Sequence, residues 1–256
     1  MPYWPLGFPT PEESLAYVES LVAAGADMLE LGIPFSDPLA DGPTIQAATQ
    51  QALAAGTTVA RCLELVATLR AQGITIPCAL MTYLNPVLAY GVEQFVADAV
   101  AAGADGFIVP DMPPEEGAEW ERLCQAHDAA LVYLVAPTST VERVRLAGEH
   151  SSGFLYLVSV TGITGARDTL PPDLTAFVQR VREVVSLPLA VGFGISRATQ
   201  ARAVAAVADG VIVGSALIRQ AQEAMLRREE GVTAVKTLAV QLAQAAHGRV
   251  DETVSP

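Results

Sequence analysis

LELGIPFSDPLADGPTIQ, residues 29–46, opens as an apolar strand with a carboxylate inside it and runs into a loop of prolines, a glycine and acids. Side chains alternate across a strand, so Met28, Glu30 and Gly32 share one face and Leu29, Leu31 and Ile33 the other. Glu30 thus points to the side where a glycine leaves room, which suits a ligand pocket. A carboxyl group held out of water has a raised pKa and can give and take a proton near neutral pH, provided each of its forms is stabilised. Asp41, eleven residues on, is the second carboxylate. A plainer reading also fits this stretch: Glu30 as the half-exposed last residue of an edge strand, with Asp37 and Asp41 as turn residues beside proline and glycine.

Outward from this stretch, strand-like and helix-like segments alternate along the whole chain. The strand candidates are PYWPLGF (2–8) and residues 28–34, 76–83, 106–110, 130–135, 154–160, 188–194 and 210–213. Pro2 and Pro5 disfavour a central position for the first, which reads as the tail of a strand. Thr10, Pro11 and Glu13 make a helix start. Further helical patterns fill residues 44–55, 59–71, 92–102, 115–127, 141–149, 173–185, 196–208 and a final region, while Leu84-Asn85-Pro86 reads as a turn. Near-continuous apolar strands, each followed by a helix, describe a parallel sheet under helices. At 256 residues a single-domain α/β (β/α)8 TIM barrel is favoured over an open sheet. The expected barrel spans residues 1–248, its first strand truncated at the amino terminus, and residues 249–256 form a frayed tail.

Composition narrows the function. With 51% hydrophobic residues, 15 basic and 28 acidic side chains and a net charge of −13, the chain can bury a large core, and neither a nucleic-acid surface nor an anionic membrane is a natural partner. A phosphorylated small molecule remains compatible, because backbone N–H groups at helix starts can hold it. Three dispersed cysteines and three histidines show no metal-type spacing and no disulfide framework. No signal peptide or membrane-length apolar run is present, so a cytoplasmic protein is expected.

In such barrels chemistry sits at the carboxyl ends of the strands. The loop at 35–43, Asn85, Asp111, the 161–169 loop and the late glycines all fall there. GFGIS (192–196) ends the seventh strand, and VGSA (213–216) ends the eighth and opens a helix. Gly194, Gly214 and Ser215 are therefore candidates for a phosphate cradle, with Gly165 as a fourth wall. Relief of crowding in a tight turn and a plain helix cap are the alternative uses of these glycines.

The opening stretch, together with MTYLNPV (81–87), IVPDMP (108–113), APTST (136–140), VSVTGITGAR (158–167) and GFGIS, resembles the tryptophan synthase alpha-subunit family. The resemblance runs in order along nearly the whole chain. It implies a (β/α)8 barrel that cleaves indole-3-glycerol phosphate to indole and glyceraldehyde 3-phosphate by a retro-aldol step, without metal or organic cofactor. It also implies docking on a beta subunit in an alpha2-beta2 heterotetramer, with pyridoxal phosphate on the partner alone. Carried onto matching positions, Glu30 is the catalytic acid/base and Asp41 the acceptor of the indole N–H. Thr164 bonds Asp41 when its loop closes, and Tyr156 sits near Glu30. Tyr83, Leu80 and Tyr3 surround the ring, although ordinary aromatic packing is the alternative for the tyrosines. Asp37 and Pro38 face the beta subunit. No role is assigned to Val160 or Arg167. Family members usually carry a further amino-terminal helix ahead of the position of Pro2. Two other functions use the same residues: a stand-alone lyase, and a non-catalytic, ligand-gated activator of the beta subunit.

Overall fold

A computed structural model of the chain describes residues 1–158, 173–192 and 194–248. Eight strands stand among these: β1 Tyr3–Pro5, β2 Leu29–Gly32, β3 Cys78–Met81, β4 Gly106–Ile108, β5 in two halves (Ala130–Val132 and Leu134–Val135), β6 Leu155–Val158, β7 Leu189–Gly192 and β8 Gly210–Val211. The helices between and after them are α1 Pro11–Ala23, α2 Pro43–Ala54, α3 Val59–Ala71, α4 Leu84–Tyr90, α5 Val92–Ala102, α6 Ala118–Ala126, α7 Val141–His150, α8 Leu174–Arg182, α9 Ala198–Ala205, α10 Ser215–Arg227 and α11 Gly231–Ala246.

All paired strands are parallel and lie in sequence order, in two arcs that run from β1 to the first half of β5 and from its second half to β8. The arcs meet twice. At Tyr133 strand β5 exchanges its partner β4 for β6, with the Tyr156 N–H donating to the Tyr133 carbonyl at 3.1 Å. At the other seam the Tyr3 N–H donates to Val213 O (2.8 Å) and the Val213 N–H to Met1 O (3.0 Å). The ring is therefore a closed (β/α)8 barrel, which abolishes sheet edges. Closure also explains why a proline-bearing first strand sits between two neighbours. Pro2 joins the ladder through its carbonyl, which accepts from the Glu30 N–H at 3.0 Å.

The register Leu31, Leu80, Phe107 and Leu131 runs across four strands on the helix-facing side, where all four are buried. Phe107 there packs against Phe95 of α5 and Trp120 of α6, with ring centroids 5.6 and 5.7 Å away. The facing register, Tyr3, Glu30 and Ala79, is the one that turns inward.

The amino ends of the strands are locked by a device used twice. Asp105 accepts from the Cys78 N–H (2.7 Å) and pairs with Arg70 (2.6 Å), and Asp209 accepts from the Leu189 N–H (2.8 Å) and pairs with Arg182 (2.8 Å). Arg70 also donates to the carbonyls of Gly103, Ile74 and Ile76.

One short element differs from the expected turn at Leu84-Asn85-Pro86, which instead opens α4. The cause is remote in sequence: the Asp111 carboxylate accepts from the Leu84 N–H at 3.0 and 3.2 Å, capping the helix from the loop after β4. Thr10 caps α1 locally, as its spacing suggests. Among the described residues no single helix is long and apolar enough to cross a membrane. The tail at 249–256 and the loop at 161–169, with Val160, Thr164, Gly165 and Arg167, lie outside the described residues.

Because Arg70 satisfies three carbonyls at once, Arg70→Met is expected to destabilise the fold by about 2 kcal/mol, the scale set by unpaired buried acceptors. Urea unfolding measures this, with activity at saturating substrate unchanged because the change lies at the barrel end away from the site.

Candidate active site

Strand β2 delivers Glu30 into the barrel interior, where the residue is 1% exposed. Neither carboxylate oxygen has a hydrogen-bond partner among the described residues. Burial pushes its pKa up to about 8, the charge of Asp41 adds to the rise, and the Met1 amino group partly opposes it. The space beside Gly32 is filled rather than open. A Cβ on Gly32 would collide with the Tyr3 hydroxyl, so the glycine exists to let the Tyr3 ring lie across β2. Gly192 of β7 makes the same allowance for Tyr156 on the opposite wall.

Asp41 reaches the same cavity from the loop after β2. A turn closed by Asp41 N–H to Pro38 O (3.0 Å) and the Gln46 side-chain amide bonded to Asp41 O (2.9 Å) fix the backbone there. Its side chain is 6% exposed; burial pushes its pKa up to about 7, and the Tyr83 hydroxyl beside it draws the value back down. That hydroxyl also accepts from the Ala40 N–H at 3.1 Å. Burial thus biases both carboxyls toward the protonated form near neutral pH.

The two carboxyls line one cavity with Tyr3, Tyr156 and the apolar side chains of Ile45, Met81 and Ile212. Tyr83 does not line it. It stands behind the loop, its ring 5.6 Å from that of Phe35, and acts on the site through Ala40 and Asp41. Leu80 faces the helices instead, and its neighbour Met81 supplies the wall.

Across the cavity lie Gly194, Ser196, Gly214 and Ser215, the expected cradle residues among them. The two helix starts there differ. At α9 the N–H groups of Ser196 and Arg197 are both taken by Gln200 Oε1, at 2.8 and 3.1 Å. At α10 no side chain caps the helix, so its first N–H groups face the cavity free of side-chain acceptors. Arg219 lines the cavity as well and is absent from the sequence reading. The signal was available: it follows Ser215 by four residues, on the same face of a helix whose side chains lean toward its amino end. Among the described residues no cluster of three or more His, Cys, Asp or Glu side chains could hold a metal ion.

Fold and site together define a (β/α)8 barrel with two buried carboxyls and an uncapped helix start lining one cavity at its mouth. The family model for the tryptophan synthase alpha chain matches residues 1–247. The tryptophan synthase alpha chain of Chloroflexus aggregans is 49% identical over 235 residues, covering 91% of this chain and 88% of that one, and the Chloroflexus aurantiacus alpha chain is 52% identical over 218 residues, covering 85% and 82%. The crystal structure of the Legionella pneumophila alpha subunit superimposes with a TM-score of 0.89 at 40% identity, covering 96% of this chain and 92% of that one. The chain belongs to the tryptophan synthase alpha chain family, lyases of tryptophan biosynthesis that cleave indole-3-glycerol phosphate.

The raised pKa of Glu30 has a consequence for stability with a definite sign. Between its ordinary value of 4.5 and about 8 the folded chain holds a proton that the unfolded chain has lost. Stability contributed by this group therefore falls as pH rises through that window. Glu30→Gln is expected to melt higher than wild type at pH 8, by about 1–3 kcal/mol of stability, with the gap closing toward pH 5. Thermal unfolding across that range, without ligand, measures it; a gap independent of pH contradicts the burial of an unpaired carboxylate.

Proposed function

We propose that this chain cleaves indole-3-glycerol phosphate with Glu30 and Asp41 as its catalytic residues. The observation that carries the reading is that Glu30, buried and unpartnered, faces the same cavity as Asp41. A buried group of this kind is stable only as the acid or against a ligand. Glu30 begins protonated and gives its proton to the ring carbon that bears the glycerol phosphate chain, which turns the indole into a cationic leaving group. Asp41 accepts the ring N–H and, once ionised, stabilises the positive charge that grows there in a water-poor site. The Glu30 carboxylate then takes the proton of the adjacent side-chain hydroxyl. The carbon–carbon bond breaks, its electron pair neutralises the ring, and the hydroxyl carbon becomes the aldehyde. One proton leaves Glu30 and one returns.

Tyr83 is a positioning residue, holding Asp41 through its loop. Tyr156 and Tyr3 flank the ring alongside Ile45, Met81 and Ile212. Gly194, Gly214 and Ser215 hold the phosphate, with Gly165 as the fourth contact. Thr164 bonds Asp41 in the closed state, where water is excluded. No cofactor is assigned to this chain. Pyridoxal phosphate belongs to a beta subunit that docks on the loop of Asp37 and Pro38, in an alpha2-beta2 assembly in the cytoplasm.

Indole release from indole-3-glycerol phosphate, with and without a beta subunit, tests the reading. Glu30→Gln and Asp41→Asn are each expected to lower kcat by about 10²-fold or more. Tyr83→Phe should cost about tenfold, since its ring stays and only the bond to the loop and Asp41 is lost. Full activity in Glu30→Gln rejects the assignment. Full activity of the isolated chain, unchanged by a beta subunit, identifies a stand-alone lyase.

A further inference from the structure

We propose that Arg219 is the side-chain cation that binds the substrate's phosphate, completing a cradle that main-chain amides leave under-charged. The proposal rests on the reaction assigned above and deepens it. Among the described residues Arg219 has no ion pair and no hydrogen bond, yet it is half-buried and lines the cavity. The other cations without such a contact, Arg122, Arg145, Arg202, Arg228 and Lys236, are exposed. In a chain with 28 acids and 15 bases, a partly buried arginine without a carboxylate is a group waiting for an anion.

Its placement fits the phosphate. Arg219 lines the cavity together with Gly214, Ser215 and Ala216 at the α10 start. It stands one turn inside that helix, whose start no side chain caps. A phosphate monoester carries about −1.5 to −2 charges at pH 7, and a helix start offers roughly half a positive charge. The helix start alone leaves most of that charge unbalanced, and a formal cation completes the balance. The buried, unpartnered Glu30 carboxyl independently marks this cavity as one that receives a ligand. Arginine also suits the task geometrically, since its fork matches phosphate oxygens in pairs.

Because the phosphate does not react, its grip is the same in ground and transition states, and the effect should fall on KM. The full chain and its Arg219→Gln and Arg219→Lys variants are assayed with the beta subunit for indole release, and titrated with inorganic phosphate by calorimetry. In Arg219→Gln, KM and the phosphate Kd should both rise by about tenfold or more. The kcat should shift far less, the melting temperature should hold, and Arg219→Lys should regain part of the loss. Higher ionic strength should weaken phosphate binding in wild type more than in Arg219→Gln. Unchanged KM and phosphate Kd in a stably folded Arg219→Gln overturn the proposal, as does a loss confined to kcat. If wild type binds phosphate through Arg219 but releases no indole, the reaction assignment fails while the phosphate assignment stands.

Discussion

The structure turns on one unfavourable act, the burial of the Glu30 carboxyl with no hydrogen-bond partner among the described residues. An unsatisfied polar group away from water costs on the order of 1–3 kcal/mol, and a bare charge far more. The group avoids the larger cost by keeping its proton, which is why its pKa stands near 8. A strand at a sheet edge would let Glu30 turn to water and relax. Closure of the barrel between β1 and β8 removes that escape, so the main-chain bonds among Met1, Tyr3 and Val213 help to keep the proton on a residue of the neighbouring strand. The raised pKa is thus a property of the ring, and the strand Leu29–Gly32 only chooses which side chain receives it.

Much of this was legible in sequence because it is periodic. Alternation in residues 28–33 placed Glu30 and Gly32 on one face, and eight apolar runs followed by helices at this chain length led to a closed barrel. What was lost depends on contacts distant along the chain. Helix α4 is set by Asp111, which caps Leu84 from the next strand's loop, and Leu84-Asn85-Pro86 alone resembles a turn. The division of β5 at Tyr133 reflects a change of partner strand, and no local pattern encodes a partner. The paired Arg70–Asp105 and Arg182–Asp209 clamps were also unread, though an Ala-Asp pair precedes β4 and β8 alike.

At the site the same division holds. Residue types that are unusual for their element, a carboxylate inside a strand and glycines at strand ends, stood out. Residues of ordinary type did not: Met81 and Ile212 are unremarkable apolar strand residues, and Arg219 looks like any helix-surface cation until its neighbours are known. Tyr83 shows the opposite error, since an aromatic in a strong motif invites a ring contact, whereas its hydroxyl serves Ala40 and Asp41 from outside the cavity. A motif marks that a residue matters, and only packing tells through which atom.

The two helix starts at the mouth explain why the cavity has a direction. Were α9 and α10 equally open, an anion could settle at either, and one nearer the carboxyls would raise their pKa values further and hold both protonated. Gln200 accepts from the Ser196 and Arg197 N–H groups just ahead of α9, whereas α10 carries Arg219 one turn in, on the cavity side, which makes its start the more positive of the two. Glu30 and Asp41 then define the other end, and the apolar walls of Ile45, Met81 and Ile212 span the distance between them. A ligand with a neutral flat body and a charged tail can bind in one orientation only. Under the assignment proposed above, that orientation brings the ring to Glu30, whose proton burial holds in place, and the grip on the tail fixes the distance between them.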